Sequence, residues 1–545
     1  MISLIAIAFG AMLQNPMGHW GESSPSWHGP TSSPLFGIEH RTWLVPDLDG
    51  DGLHDVAVGG PNMDSVGGGL ELRSSNTGLL LLQINGGSIF DLGFGSFVES
   101  VPDQDFDGKA DLLVSVLGES FSGGSGVVHL ISSSTGLTIR RFEGIPGDEL
   151  FGIFTCNLGD ISGDGIFDFA VSMLDSNRFP LSGGGVVAVS GIDGSEIYQF
   201  QSLNVNPGLG GPVGDVNLDG FPDIIHGGNI GTYLHSGLDG TVLHYHPAPR
   251  DNEGFATEGA IADLGDINCD GIPDYAIGAA DGPIRRTTGH VYVYDGASGA
   301  MILELSGIHL DSRFGHSVSS AGDVDGDGYP DIIVGAPDED GAPANEPPGA
   351  ARIFSSRDGT LLHVFRGKAG RAIRVGTSVL GVGDLDGNGL DEVLIGSKSW
   401  AGGGIANGVW QTHGLQSYLN ISPQTISASA GGTLTFDLDF PDEMANQDYM
   451  ILASNDAPGR TGFYSVQIPL ARNPFLNRMV LAPPAWLSGA NGTLDAFGNA
   501  TATATLTPGL AAPFANRTIR FSAVTFASPL DASNYSAGMR VRIEN

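Results

Sequence analysis

The chain has 545 residues, with 61 acidic against 24 basic, a formal charge of −37, 84 glycines and 41% hydrophobic residues. That length exceeds one ordinary core and calls for several domains or a repeat array. Such acidity excludes nucleic acid and anionic membrane surfaces as main partners, because their phosphates would be repelled.

Met1–Leu13 is an apolar run ahead of Gln14-Asn15-Pro16. It matches the hydrophobic region of a signal peptide and is too short to span a bilayer. A signal peptide over 1–20 and a secreted or cell-surface location are therefore expected, and no later segment reads as transmembrane. Only two cysteines occur, Cys156 and Cys269. They fall in non-adjacent units of the repeat described next, so no disulfide between them is expected.

One acidic segment recurs seven times. Its first copy places Asp47, Asp49, Asp51, Leu53 and Asp55 at positions 1, 3, 5, 7 and 9, with Gly52 at position 6. The second has Asp103, Asp105, Asp107, Lys109 and Asp111; the third, Asp160, Ser162, Asp164, Ile166 and Asp168. The fourth has Asp215, Asn217, Asp219, Phe221 and Asp223; the fifth, Asp266, Asn268, Asp270, Ile272 and Asp274. The sixth has Asp323, Asp325, Asp327, Tyr329 and Asp331, and the seventh Asp384, Asp386, Asn388, Leu390 and Glu392. Successive first positions lie 56, 57, 55, 51, 57 and 61 residues apart, the mark of a repeat array.

Each segment runs into a short apolar strand such as Val56-Ala-Val58 or Ile332-Ile-Val334, suited to burial on both faces. A second strand, a turn of the type Ser134-Thr-Gly136 or Asp358-Gly359, and a last strand follow. Four strands per unit predict a propeller blade, and residues 22–415 a seven-bladed β-propeller. The seventh unit lacks a last strand. Pro25-Ser-Trp27-His-Gly29 resembles the last strand of the others, so residues around 22–29 are expected to supply it and close the ring.

Carboxylates at positions 1, 3, 5 and 9, a position-7 carbonyl and a turn-making glycine form a compact set of hard oxygen ligands for calcium. All 35 residues named at positions 1, 3, 5, 7 and 9 are candidate ligands, for up to seven Ca²⁺ ions. A single Asp-Gly-rich loop is usually a solvated turn; seven in one register are not. Loops with Ser162, Asn217, Asn268 or Asn388 carry one charge fewer and should bind more weakly. Loops 4 and 7 are expected to be the first left empty.

Phe-Gly precedes the acidic loop at Phe36-Gly37, Phe94-Gly95, Phe151-Gly152 and Phe314-Gly315, and Gly-Ala-Pro follows it at Gly335-Ala336-Pro337, approximately at Gly59-Gly60-Pro61. These residues resemble the FG-GAP repeats of the integrin α-subunit propeller, most closely in unit 6. The resemblance implies calcium on one face of a seven-bladed propeller and partner-binding loops on the other. With no integrin-like leg region or transmembrane helix, the chain looks more like secreted bacterial propellers of that family.

From Gln416 to Asn545 the sequence turns rich in Ala, Thr, Ser and Asn, with alternating runs such as Thr433–Phe440 and Thr501–Leu506. This predicts a small antiparallel β-sandwich. It contains no His, Cys or Lys, which leaves little for acid–base or nucleophilic chemistry. Nucleophile-elbow, zinc-protease and phosphate-loop motifs are absent from the whole chain. His226, His235, His244 and His246 gather in unit 4 and could form a small metal or acid–base site.

The function expected is a monomeric extracellular binding or adhesion module for a protein or glycan ligand, with no enzyme activity. Candidate contact loops are Asn177–Phe179, Pro283–Arg286, Pro337–Pro348 and Ser399-Trp400. The alternatives are a secreted polysaccharide- or lipid-cleaving enzyme and a structural component of the cell envelope.

Overall fold

The computed structural model describes residues 18–544 except 23–26, 33–41, 61–67, 87–92, 118–124, 146–150, 174–183, 202–209, 229–230, 251–254, 256–259, 281–286, 340–347, 368–373, 402–404, 442–443, 456–458, 464–465, 482–483 and 529–530. The apolar run at 1–13, Phe36-Gly37, and the contact loops at 177–179 and 283–286 lie outside them, as does 340–347 of the third loop. No helix among the described residues is long and apolar enough to cross a membrane.

The fold is all-β, with repeated four-stranded antiparallel sheets of the kind a propeller uses. Sheet 1 consists of Thr42–Val45, Asp55–Gly60, Gly69–Arg73 and Leu80–Asn85, hydrogen-bonded in chain order. Sheet 2 runs from Phe94 to Glu143, sheet 3 from Thr155 to Gln201 and sheet 4 from Gly211 to Pro247, in the same order. Sheets 5 (Ile261–Ser306) and 6 (Ser317–Arg366) repeat it. Sheet 7 takes Ser378–Gly383, Glu392–Ala401 and Ile405–Ser417 from its own unit.

The second strand of each sheet is its apolar centre. Asp55–Gly60, Asp111–Val116, Asp168–Met173, Asp274–Ala279 and Asp331–Ala336 are buried at every residue, whereas the fourth strands are largely exposed. Burial on both faces follows from packing sheet against sheet. Apolar clusters join sheets 1 and 2 (Ala57, Val98), 2 and 3 (Leu113, Phe169), and 3 and 4 (Ala170, Ile224). Others join 4 and 5 (Ile225, Tyr275), 5 and 6 (Ala276, Ile332), 6 and 7 (Ile333, Val393), and 7 and 1 (Leu394, Val56). The first strands also touch in that cyclic order, and Thr42 and Ser378 share a 2.5 Å hydroxyl hydrogen bond where sheet 1 meets sheet 7.

Phe-Gly and Gly-Ala-Pro acquire a packing reason here. The glycine after Phe94, Phe151 and Phe314 lies in the left-handed region, at +81° for Gly95, +97° for Gly152 and +88° for Gly315. Gly95 and Gly315 fit their backbones against a glycine of the preceding sheet's second strand: a Cβ on Gly59 would lie 2.1 Å from Gly95 O, and one on Gly278 2.2 Å from Gly315 O. Phe94, Phe151 and Phe314 are buried beside these contacts.

The N-terminal segment does pair with sheet 7, in two pieces. Gly18–Glu22 lies antiparallel to 413–417 and Trp27–Ser32 to 406–410, while 23–26 of the expected strand at 22–29 lie outside the described residues. Ser399 and Trp400, expected in a contact loop, belong to the strand Glu392–Ala401.

Beyond Ser417, Leu419–Ser422, Gly432–Asp439, Asn499–Leu506 and Leu487–Ser488 form one sheet. A second sheet centres on Arg517–Ser528, flanked by Asp448–Asn455 and Met539–Glu544. Alternation puts Leu434, Phe436 and Leu438 inward on the first and Ile519, Phe521 and Ala523 on the second. Phe436 meets Phe521 edge-on at 5.0 Å. This core is continuous with that of sheets 6 and 7 through Val324, Leu390, Leu415 and Tyr418.

Candidate metal centres

Each acidic loop connects the first two strands of its sheet, so all seven share one local construction. The position-6 N–H donates to a position-1 carboxylate oxygen: Gly52 to Asp47, Gly108 to Asp103, Gly165 to Asp160, Gly220 to Asp215, Gly271 to Asp266, Gly328 to Asp323 and Gly389 to Asp384, at 2.7–3.0 Å. The N–H of position 7 donates to the position-5 side chain in every copy: Leu53, Lys109, Ile166, Phe221, Ile272, Tyr329 and Leu390. The position-6 glycines all lie between +88° and +97° in φ, as the expected tight turn requires.

Position 9 ties the loop to the rest of the sheet. Asp55 accepts from the Leu48 N–H at 2.7 Å and from the Ser75 N–H of the following hairpin at 3.4 Å. Asp223 and Asp274 repeat both bonds, with Val216 and Gly237 and with Ile267 and Gly296. All seven position-9 carboxylates are buried. Burial pushes Asp55, Asp223 and Asp274 up to about 6 and Glu392 up to about 8, against the backbone N–H donors.

The carboxylates at positions 1, 3 and 9 converge in four loops. Asp47, Asp49 and Asp55 bring oxygens within 4.8 Å of one another, as do Asp103, Asp105 and Asp111; Asp323, Asp325 and Asp331; and Asp384, Asp386 and Glu392. The position-5 acids Asp51, Asp107 and Asp327 stand outside these groups. In loops 3, 4 and 5, Ser162, Asn217 and Asn268 replace the position-3 acid. Asn217 Nδ2 donates to Asp219 at 2.9 Å and Asn268 Nδ2 to Asp295 at 3.1 Å, so amide donors offset part of the repulsion there.

Loop 7, expected among the weakest, gathers its acids like loops 1 and 2. There Asp384 Oδ1 and Glu392 Oε1 are buried with no hydrogen-bond donor. Hard oxygen ligands brought together, with buried lone pairs unmet, fit a divalent cation of the calcium type.

Sequence reasoning missed two features. Position 4 is left-handed in all seven loops, three times without glycine: Phe106 (+62°), Leu218 (+59°) and Cys269 (+63°). Arginines of the C-terminal region reach loops 6 and 7 as well. Arg460 pairs with Asp325 and lies 3.4 Å from Asp327, Arg520 lies 3.4 Å from Asp323, and Arg540 donates to Gly389 O. The signal was visible: seven arginines and no lysine after residue 415, when Arg is the cation suited to buried pairs.

The unit-4 histidines form no joint site. His235 stacks on Phe200 at 3.7 Å, His244 Nε2 is 3.0 Å from Gly296 O, and His246 Nε2 is 2.7 Å from the Tyr275 hydroxyl. Burial holds His226 down to about 3 and His246 to about 4, so both stay neutral. Cys156 is buried, Cys269 exposed, and both are free thiols.

Residues 314–354 match the FG-GAP repeat family. Integrin alpha-4 of Xenopus laevis is 35% identical over 150 residues, 26% of this chain and 14% of the integrin. Integrin alpha-5 of Xenopus laevis is 33% identical over 211 residues, 34% of this chain and 19% of the integrin. Integrin alpha-V of Gallus gallus is 30% identical over 215 residues, 35% of this chain and 20% of the integrin. The matches thus span a fifth or less of those relatives' length. Repeated antiparallel sheets and the Phe-Gly and Gly-Ala-Pro contacts agree with these similarities: the chain carries an FG-GAP repeat at 314–354 and is similar over about a third of its length to integrin α subunits.

Proposed function

We propose that the chain is a secreted, calcium-loaded binding or adhesion module: a closed propeller of seven blades with a β-sandwich at its C-terminus. The observation that carries this is the convergence of three carboxylates at positions 1, 3 and 9 of one repeated loop, in the same register in loops 1, 2 and 7. Acids so placed repel one another unless a cation lies among them.

Calcium would be held by Asp47, Asp49 and Asp55 in loop 1, by Asp103, Asp105 and Asp111 in loop 2, and by Asp384, Asp386 and Glu392 in loop 7. Position 5 and the position-7 carbonyl would complete the ligand set. Loops 3, 4 and 5 would bind more weakly through Asp160, Asp164 and Asp168, Asp215, Asp219 and Asp223, and Asp266, Asp270 and Asp274. Bound calcium supplies fixed positive charge. The chain's own contribution is a backbone turn that presents oxygens already aimed inward, so little ordering entropy remains to be lost. A ring held rigid at one end can present loops at the other to an extracellular protein or glycan.

Screening the full chain on a glycan array and on immobilised extracellular-matrix glycoproteins, with calcium and with chelator, tests the module reading. Saturable binding that requires calcium supports it. Release of cleaved polysaccharide or lipid products would favour the enzyme alternative, and retention in washed envelopes without a soluble ligand the structural one.

A further inference from the structure

Loop 6 differs from the other acidic loops in one physical respect: it is covered. Asp325 and Asp327 are fully buried, whereas Asp49 and Asp51 of loop 1 are exposed. The cover is the C-terminal region. Gly459 N–H donates to Asp327 O at 2.6 Å and Gly538 N–H to Asp325 O at 2.7 Å. Gly326 packs so closely on Gly538 that a Cβ there would lie 1.9 Å from Gly538 O. Under this cover Arg460, 4% exposed, pairs with Asp325 and stands 3.4 Å from Asp327. Among the described residues no other acidic loop has an ion pair to Arg or Lys.

We propose that the Arg460 guanidinium is the resident cation of loop 6, so that this blade takes no calcium and serves as the socket that docks the C-terminal domain. This rests on reading the other loops as calcium sites. Calcium would need the oxygens of positions 3 and 5 at about 2.3–2.6 Å, and Arg460 already engages both residues. A divalent ion would also meet repulsion from Arg460 and from Arg520, whose Nη1 lies 3.4 Å from Asp323 and 2.8 Å from Gly326 O. Asp323 Oδ1, Asp327 Oδ2 and Asp331 Oδ1 are buried without a hydrogen-bond donor, and the positive charges set beside this cluster are the guanidinium groups of Arg460, Arg520 and Arg540. The unit that best matches the family's sequence pattern has thus turned its metal loop into an interdomain joint.

Two measurements on the full chain test this. The first counts calcium per chain, at saturation, by equilibrium dialysis and elemental analysis. Asp331→Asn is expected to bind as many ions as the parent, Arg460→Ala one more, and Arg460→Lys the same number. One ion fewer in Asp331→Asn, or no gain in Arg460→Ala, overturns the proposal. The second is hydrogen exchange at Gly459 and Gly538 in calcium-free buffer. Protection there is expected to persist, and to fall on the order of a hundredfold or more in Arg460→Ala, the loss expected for truncating one member of a buried pair. Loss of protection at these two amides on removing calcium, while Arg517–Ser528 stays protected, also overturns it. Should calcium bind to no loop, the calcium-loaded reading fails and the exchange result alone decides; should the whole chain lose protection without calcium, the ion count decides.

Discussion

Gly335 in the second strand of sheet 6 meets Gly376, at the start of sheet 7, so closely that a Cβ on Gly335 would lie 2.0 Å from the Gly376 carbonyl oxygen. The obstacle is backbone and cannot rotate away. Gly335→Ala should therefore destabilise the protein by about 2–3 kcal/mol or more, as overpacking of a close contact does. Gly509→Ala, with open space around it, should change stability by less than about 1 kcal/mol. Equal midpoints for the two variants in urea unfolding would refute this role for the glycine contact.

The left-handed position 4 offers the opposite effect. Leu218 is 64% exposed at φ +59°, so its side chain contributes little packing while its backbone carries the strain of that region. That strain amounts to roughly 1–2 kcal/mol for an ordinary L-residue. Leu218→Asn, with a residue that adopts this conformation readily, should raise stability by up to about 1 kcal/mol. Denaturant midpoints check this; a lower midpoint would contradict it.

The pH dependence of the calcium-free protein follows from the buried position-9 acids. Asp55, Asp223 and Asp274 are pushed up to about 6 and Glu392 to about 8, with burial the largest cause in each. Unfolded carboxyls titrate near 4, so the folded state binds these protons more tightly. The resulting stability is complete below about pH 4 and is lost as pH rises through 6, and through 8 for Glu392. Without calcium the melting temperature should fall between pH 5 and pH 8. Calcium binds the ionised form, so its stabilising effect should grow over the same window. A calcium-free melting temperature that rises across that window would contradict the assignment.

Much of this was legible in the sequence because Asp, Gly and short apolar runs recur at fixed spacing. The acidic loops, their glycines and the buried second strands, such as Val56-Ala57-Val58, could be placed from that pattern alone. What the pattern could not show was contact between distant segments. Arg460 and Asp325 are 135 residues apart, and nothing local to either predicts that they meet. In loop 7 Asn388 takes one charge from the motif, and the pattern could not show that Asp384, Asp386 and Glu392 converge all the same. The left-handed Phe106, Leu218 and Cys269 were hidden because their side chains disfavour that conformation; the hydrogen-bonded loop imposes it.

The N-terminal pairing predicts its own variant. Residues 18–22 and 27–32 cover the edge of Ile405–Ser417. Deleting residues 18–32 should bare that edge and cause self-association or a lower melting temperature. Sedimentation and thermal scans that match the intact chain would show that the segment is dispensable for closure.

The most direct measurement is calcium titration of the metal-stripped chain, followed by thermal unfolding and by counting ions per chain. Several ions should bind, and the melting temperature should climb with concentration, each site adding about 2.7 kcal/mol at a hundredfold excess over its dissociation constant. A melting temperature indifferent to calcium, with no ion retained, would mean that the gathered carboxylates serve the fold without metal.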